Sequence, residues 1–466
     1  MAVALLQKGE HDKALEWNQR ALDGWEKAGG KNHPETLKTV SNMALVFRNK
    51  GEHDKALEWY QRALDGWEIV NGMDQPGALT VVSDVAFVFQ CKGEHDKALE
   101  WYQQALDGMQ MALGKNHLAT LKVVNNMASI FRNKGEHDKA LEWYKRALDG
   151  WEIVLGADHP DALAAVSNMA LVFQRKGEHD KALEWYQRAL DGKEKALGKN
   201  HPETLKTVNN MASVFQNKGE YDKALEWYER ALDGREIVLG TGHPRTLATV
   251  NNMALAFQDK GEYDKALEWY QRTLDGEKKA LGKDHPETLK TVSNMASVYQ
   301  NKGEYDKALE WYQRALDGRE IVLGMGHPRT LATVSNMASL FQDKGEYDTA
   351  LEWYQRTLAG EEKAFGMHHP ETLKTVSNMA SVFQDKGEYD KALELYQRAL
   401  DGREEALGKN HPDTIDTAKD MATLRNRFNS TILPVPGPRQ ETHSSRGTLA
   451  HISRVFNWKT KKREST

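Results

Sequence analysis

Cysteine is nearly missing from this chain of 466 residues: Cys91 stands alone, so no internal disulfide can form, and the expected compartment is the reducing cytoplasm. Long apolar runs are missing as well. No stretch approaches the roughly 18 residues of a membrane-spanning helix, and the opening MAVALLQK lacks the charged start and cleavage site of a secretory signal. An excess of either charge is missing too. With 63 basic against 68 acidic residues the formal charge is -5, which gives no pull toward nucleic acid or an anionic membrane. Nor is there a phosphate loop, a nucleophile elbow or a His-Glu-x-x-His run. No cofactor, no metal and no enzymatic activity are therefore expected.

What the chain does hold is repetition. Gly-Glu followed by His or Tyr and then Asp recurs every 42 residues, with the glycines at 9, 51, 93, 135, 177, 219, 261, 303, 345 and 387. Ten occurrences without an insertion imply ten units of one backbone design. At eight of the ten places a His-Pro pair such as His33-Pro34 opens a first helix, because proline suits a position whose donor would be unpaired anyway. Val40, Met43, Ala44 and Phe47 give that helix its apolar stripe, and Gly51 closes it. A second helix follows, with Asp54 in its first turn and a stripe of Ala56, Leu57, Tyr60, Ala63, Leu64 and Trp67. Neither helix can bury its stripe alone, so stability has to come from stacking unit on unit.

The run Met43, Ala44, Phe47, Gly51, His53, Ala56, Tyr60 and Ala63 resembles the tetratricopeptide (TPR) signature, with Tyr221 and Tyr263 replacing the histidine in later units. The 42-residue period and the Leu-Gly-x-x-His-Pro link (Leu197, Gly198, His201, Pro202) are similar to the repeats of kinesin light chain. Such arrays also form the repeat arms of fungal and bacterial NOD-like receptors. The resemblance implies an all-α, right-handed superhelical solenoid of about ten helical hairpins over residues 1–425. It also implies a protein or peptide ligand in the concave groove, with kinesin heavy chain or cargo proteins as partners in a motor adaptor, or a ligand-sensing role in a receptor. Residues 426–438, with three prolines, are expected to form a linker, and residues 439–466 a basic, disordered tail. Met1 and Ala2 align with Met43 and Ala44, so the first repeat is expected to be truncated and its stacking face open to self-association.

At about 100° per residue, Lys38, Asn42, Leu45 and Asn49 centre opposite the core stripe of the first helix. By resemblance to TPR proteins this second stripe lines the groove. Its amides, Asn42, Asn126, Asn168, Asn210, Asn252, Asn294, Asn336 and Asn378, are candidates for gripping a peptide main chain, with Asp84 the exception. Lys38, Lys122, Lys206, Lys290 and Lys374 alternate with Thr80, Ala164, Ala248 and Ala332, so the true period is nearer 84 and an extended, acidic segment is the expected ligand. Nine of the thirteen tryptophans share one repeat position and are expected to pack between repeats, while the His-Pro histidines are expected to cap helices. A single catalytic site should break the repeat, and on this reading no position does.

Overall fold

The computed structural model describes residue 5, residues 10–409 and residues 411–432. Among these there are twenty α-helices and no strand. They alternate between an A helix of the type Pro34–Asn49 and a B helix of the type His53–Asn71. Helices from His11–Gly29 to Tyr305–Leu323 belong to one compact unit, residues 1–325, and those from Pro328–Asp343 to Pro412–Ile432 to a second, residues 326–466. The last helix runs to Ile432, past the expected start of the linker. The rest of that linker and the basic tail lie outside the described residues.

Each A helix begins as its sequence dictates. His33 is the N-cap, with φ -64° and ψ 140°, and its ring Nδ1 accepts the main-chain N–H of Glu35 at 3.3 Å, satisfying a donor that the helix leaves over. The same cap recurs from His117 to His411. One A helix breaks the rule, because Gln75 caps Pro76–Cys91 with no side-chain bond. At the other end Gly51 takes φ 79°, which lets the N–H of Glu52 return to the Phe47 carbonyl and turns the chain into the B helix.

A helices and B helices pack closely because of a glycine inside the B helix. A Cβ built on Gly66 would lie 2.3 Å from Leu37 Cδ2, and the Leu-Asp-Gly glycines from Gly108 to Gly402 meet the matching leucine in the same way. The propensity lost there, roughly 1 kcal/mol relative to alanine, is offset by that approach. Within each unit a B helix such as His179–Leu197 sits between two A helices. Tyr186 and Leu190 lie with Ala170 of their own repeat and with Val208 and Met211 of the next, all buried. In the second unit Tyr396 holds the corresponding place among Ala380, Ala392 and Leu424. The buried hydroxyls of Tyr102, Tyr186, Tyr228, Tyr270 and Tyr312 donate to a glutamine of the A helix, Tyr228 to Gln216 at 3.0 Å. Tyr60 and Tyr144 lack this acceptor because Arg48 and Arg132 replace the glutamine; Ser129 bonds Tyr144 instead, and the Tyr60 hydroxyl has no partner among the described residues. The repeated tryptophans are only half-buried or exposed. Trp59 faces Phe47 of its own repeat at 6.2 Å between ring centroids, with the Arg62 guanidinium over its ring, so the ring contact closes the hairpin, while Trp185 and Trp227 also lie against core clusters shared by neighbouring repeats.

Candidate functional site: the face formed by the A helices

The predicted groove residues lie on one face of successive A helices. Lys38, Lys122, Lys206, Lys290 and Lys374 are exposed, and the amides are half-buried apart from the exposed Asn336. Neighbouring A helices exchange bonds through these amides. Asn168 donates to Asn125 at 3.5 Å, Asn252 to Asn209 at 3.5 Å and Asn294 to Asn251 at 3.3 Å. Asn126 and Asn210 also bond the buried hydroxyls of Tyr102 and Tyr186. The amide row is therefore partly committed to the stack, and what it offers a ligand is the capacity left over. Asp84, where the other repeats have asparagine, lies 3.6 Å from Arg48.

The lysines have company that the sequence reading did not weigh. Lys38 pairs with Glu35 at 2.6 Å, and Lys206, Lys290 and Lys374 stand 3.7–3.9 Å from Glu203, Glu287 and Glu371, one turn earlier on the same helix. Such exposed pairs are worth about 0.3–0.5 kcal/mol and yield readily to a competing carboxylate. Lys122 has Ala119 at that place and no ion-pair partner among the described residues. Among those residues, no group of histidine, cysteine, aspartate and glutamate is placed to hold a metal ion, and no helix is long and apolar enough to cross a membrane.

One position corrects the view that nothing breaks the repeat. The B-helix residue at the place of Trp67 reads Trp25, Trp67, Met109, Trp151, Lys193, Arg235, Glu277, Arg319, Glu361 and Arg403 down the chain. From Trp67 onward each of these side chains is buried, the six charged ones included. Buried charge is expensive unless it is paired or hydrogen-bonded, and within each unit the partner is a threonine fourteen residues ahead, on the next A helix. Lys193 donates to Thr207 at 2.9 Å and to Ser167 at 2.8 Å, Arg235 and Arg403 donate to Thr249 and Thr417, and Thr291 donates to Glu277 at 2.7 Å. Where the residue is Trp67, Met109 or Trp151, the matching position is Val81, Val123 or Ala165. Burial holds the Lys193 ammonium down to about 8, and pushes the Glu277 and Glu361 carboxyls above the ordinary range of a carboxylate.

Paired amphipathic helices in a fixed period, stacked so that B helices lie between A helices, define a helical-hairpin repeat protein. The tetratricopeptide repeat profile matches residues 1–69, 77–152, 121–195, 161–237, 203–279, 245–321, 287–363 and 370–430, and the chain belongs to the tetratricopeptide repeat family. Similar solved structures include a kinesin light chain-like protein of nearly identical TPR-like repeats from Podosopora anserina. It is 23% identical with a TM-score of 0.40, and the match covers 45% of this chain and 99% of that one. BtubC from P. vanneervenii is 20% identical with a TM-score of 0.44, over 49% and 92% of the two chains. A Rap protein complexed with competence and sporulation factor is 15% identical with a TM-score of 0.49, over 84% and 100%. Among curated proteins none matches. The fold is a typical non-catalytic interaction scaffold.

Proposed function

We propose that the chain is a scaffold, working in the cytoplasm, that binds an extended protein segment along the A-helix face, with carboxylates of the segment opposite the exposed lysines. The observation that carries this reading is the recurrence of exposed lysines in every second repeat and of amides, nearly all half-buried, in successive ones, which presents a polypeptide with donors and acceptors at regular steps. Amides suit a main chain of any sequence, whereas the lysines select for charge. Loosely paired lysines such as Lys206 and Lys290 exchange Glu203 and Glu287 for a ligand carboxylate at little cost.

The test is affinity capture from the source organism with the native chain and with a Lys206→Ala, Asn210→Ala, Lys290→Ala, Asn294→Ala variant. Partners retained by the native chain and lost by the variant support the reading; partners held equally by both place binding elsewhere on the molecule. The identity of what is captured separates the roles inside this reading: a kinesin heavy chain or its cargo marks a motor adaptor, and a nucleotide-binding receptor a sensing arm.

A further inference from the structure

We infer that the A-helix face of each unit carries a cleft, floored by Glu277 in the first and by Glu361 in the second, that receives a lysine or arginine side chain of a bound segment. The inference rests on the reading of that face as a polypeptide site and names a second feature of its ligand. The first cleft opens between the helices Pro244–Asp259 and Pro286–Asn301. It has a volume of about 130 Å³, enough for one side chain, and its walls include Ala248, Asn251, Asn252, Leu281 and Lys290. Ala248 keeps it open, because this is a repeat in which alanine replaces the lysine of the alternation. Glu277 lines the cleft and is 9% exposed. Its Oε2 accepts from Thr291.

The sequence step of 84 residues repeats this arrangement within the second unit. Ala332, Asn336, Glu361, Lys374 and Thr375 stand where Ala248, Asn252, Glu277, Lys290 and Thr291 stand in the first. Glu361 is 6% exposed, and its Oε2 is buried without a hydrogen-bond partner. An isolated buried acceptor costs about 1–3 kcal/mol, and a charged donor entering from the ligand removes that cost while making the stronger, charge-assisted kind of bond. The occupant is thus cationic and slender. Lys193, Arg235 and Arg403, at the same place in other repeats, occupy their sites with donors of their own and offer nothing to such a group. The ligand fitted by the face is accordingly of mixed charge, with acidic side chains over the lysines and basic ones in the clefts.

Two measurements test this on the full chain. In the first, n-butylguanidinium is titrated into protein carrying ¹³C at the glutamate carboxyls, with n-butylsulfonate as control. Two resonances, assigned by their loss in Glu277→Gln and Glu361→Gln, are expected to move with the cation alone; movement at neither overturns the inference. In the second, a displayed library of random dodecapeptides is selected on the wild-type chain and on the double variant. Glutamine keeps the bond to threonine and removes the charge, so folding is preserved. Selected peptides are expected to carry arginine or lysine at a fixed position and to bind the double variant about tenfold more weakly. Basic enrichment unchanged in the double variant overturns the clefts and leaves the polypeptide-binding reading standing. Failure of any peptide to enrich overturns that reading, and the guanidinium titration then decides the clefts by itself.

Discussion

Glu277 and Glu361 show at the scale of one residue how a repeat accommodates a charge in its interior. Burial pushes each carboxyl up, and the neighbouring charges of Glu287 and Glu371 add to the push; the hydroxyls of Thr291 and Thr375 and the ammoniums of Lys290 and Lys374 pull the other way. A carboxyl whose folded pKa exceeds its unfolded value contributes most to stability while protonated, and that contribution is lost as pH rises through the folded pKa. Glu277→Gln and Glu361→Gln are therefore expected to melt above the wild type near neutral pH, with the difference closing toward about pH 4, where both carboxyls are protonated. Equal melting near neutrality, or a gap that grows on acidification, would contradict the assignment. This position was only half legible in the sequence. The apolar stripe from Ala56 to Trp67 includes it, but Lys193 or Glu277 read in isolation looks like a solvated residue. The threonine that satisfies it lies fourteen residues away on another helix, and only the helix register shows that the two meet.

Helix punctuation, in contrast, is local chemistry, and so the elements were readable from the start. His-Pro at one end and a left-handed glycine at the other depend on no distant residue, and nearly every A helix begins and ends where they do. The exception makes a prediction. Gln75→His supplies the missing cap of Pro76–Cys91 and is expected to stabilise the chain by about 0.5–1 kcal/mol in denaturant unfolding. The glycine inside the B helix predicts the opposite sign from helix propensity. Gly234→Ala places a methyl 2.5 Å from Leu205 Cδ2 and is expected to destabilise by about 1–3 kcal/mol, although alanine is the better helix former. A more stable Gly234→Ala protein would show that the leucine gives way freely. The groove lysines were legible as exposed groups, but their glutamate partners were missed because an i, i+3 pair on one helix has to be sought from each lysine in turn.

For the molecule as a whole, the buried pairs set the kind of repeat that can follow, a threonine-bearing one after a charged B helix, as a matter of chemistry as well as shape. Removal of residues 202–243 joins His201 to Pro244 and sets Lys193 against Thr249 in place of Thr207, a chemically equivalent match. The shortened chain is expected to keep one cooperative helical transition by circular dichroism, melting only about 2–4 °C lower. Removal of residues 202–222 places B-type helices in succession with no A helix between them, and that transition is expected to disappear. Survival of both deletions would mean that the stack tolerates unmatched faces. Because charge and hydroxyl travel in adjoining repeats of identical length, whole repeats can be reordered with their buried partners intact. The order of repeats then becomes an order of positive, negative and apolar places under the groove, and a new ligand preference can be composed by transposing repeats without redesigning any one of them.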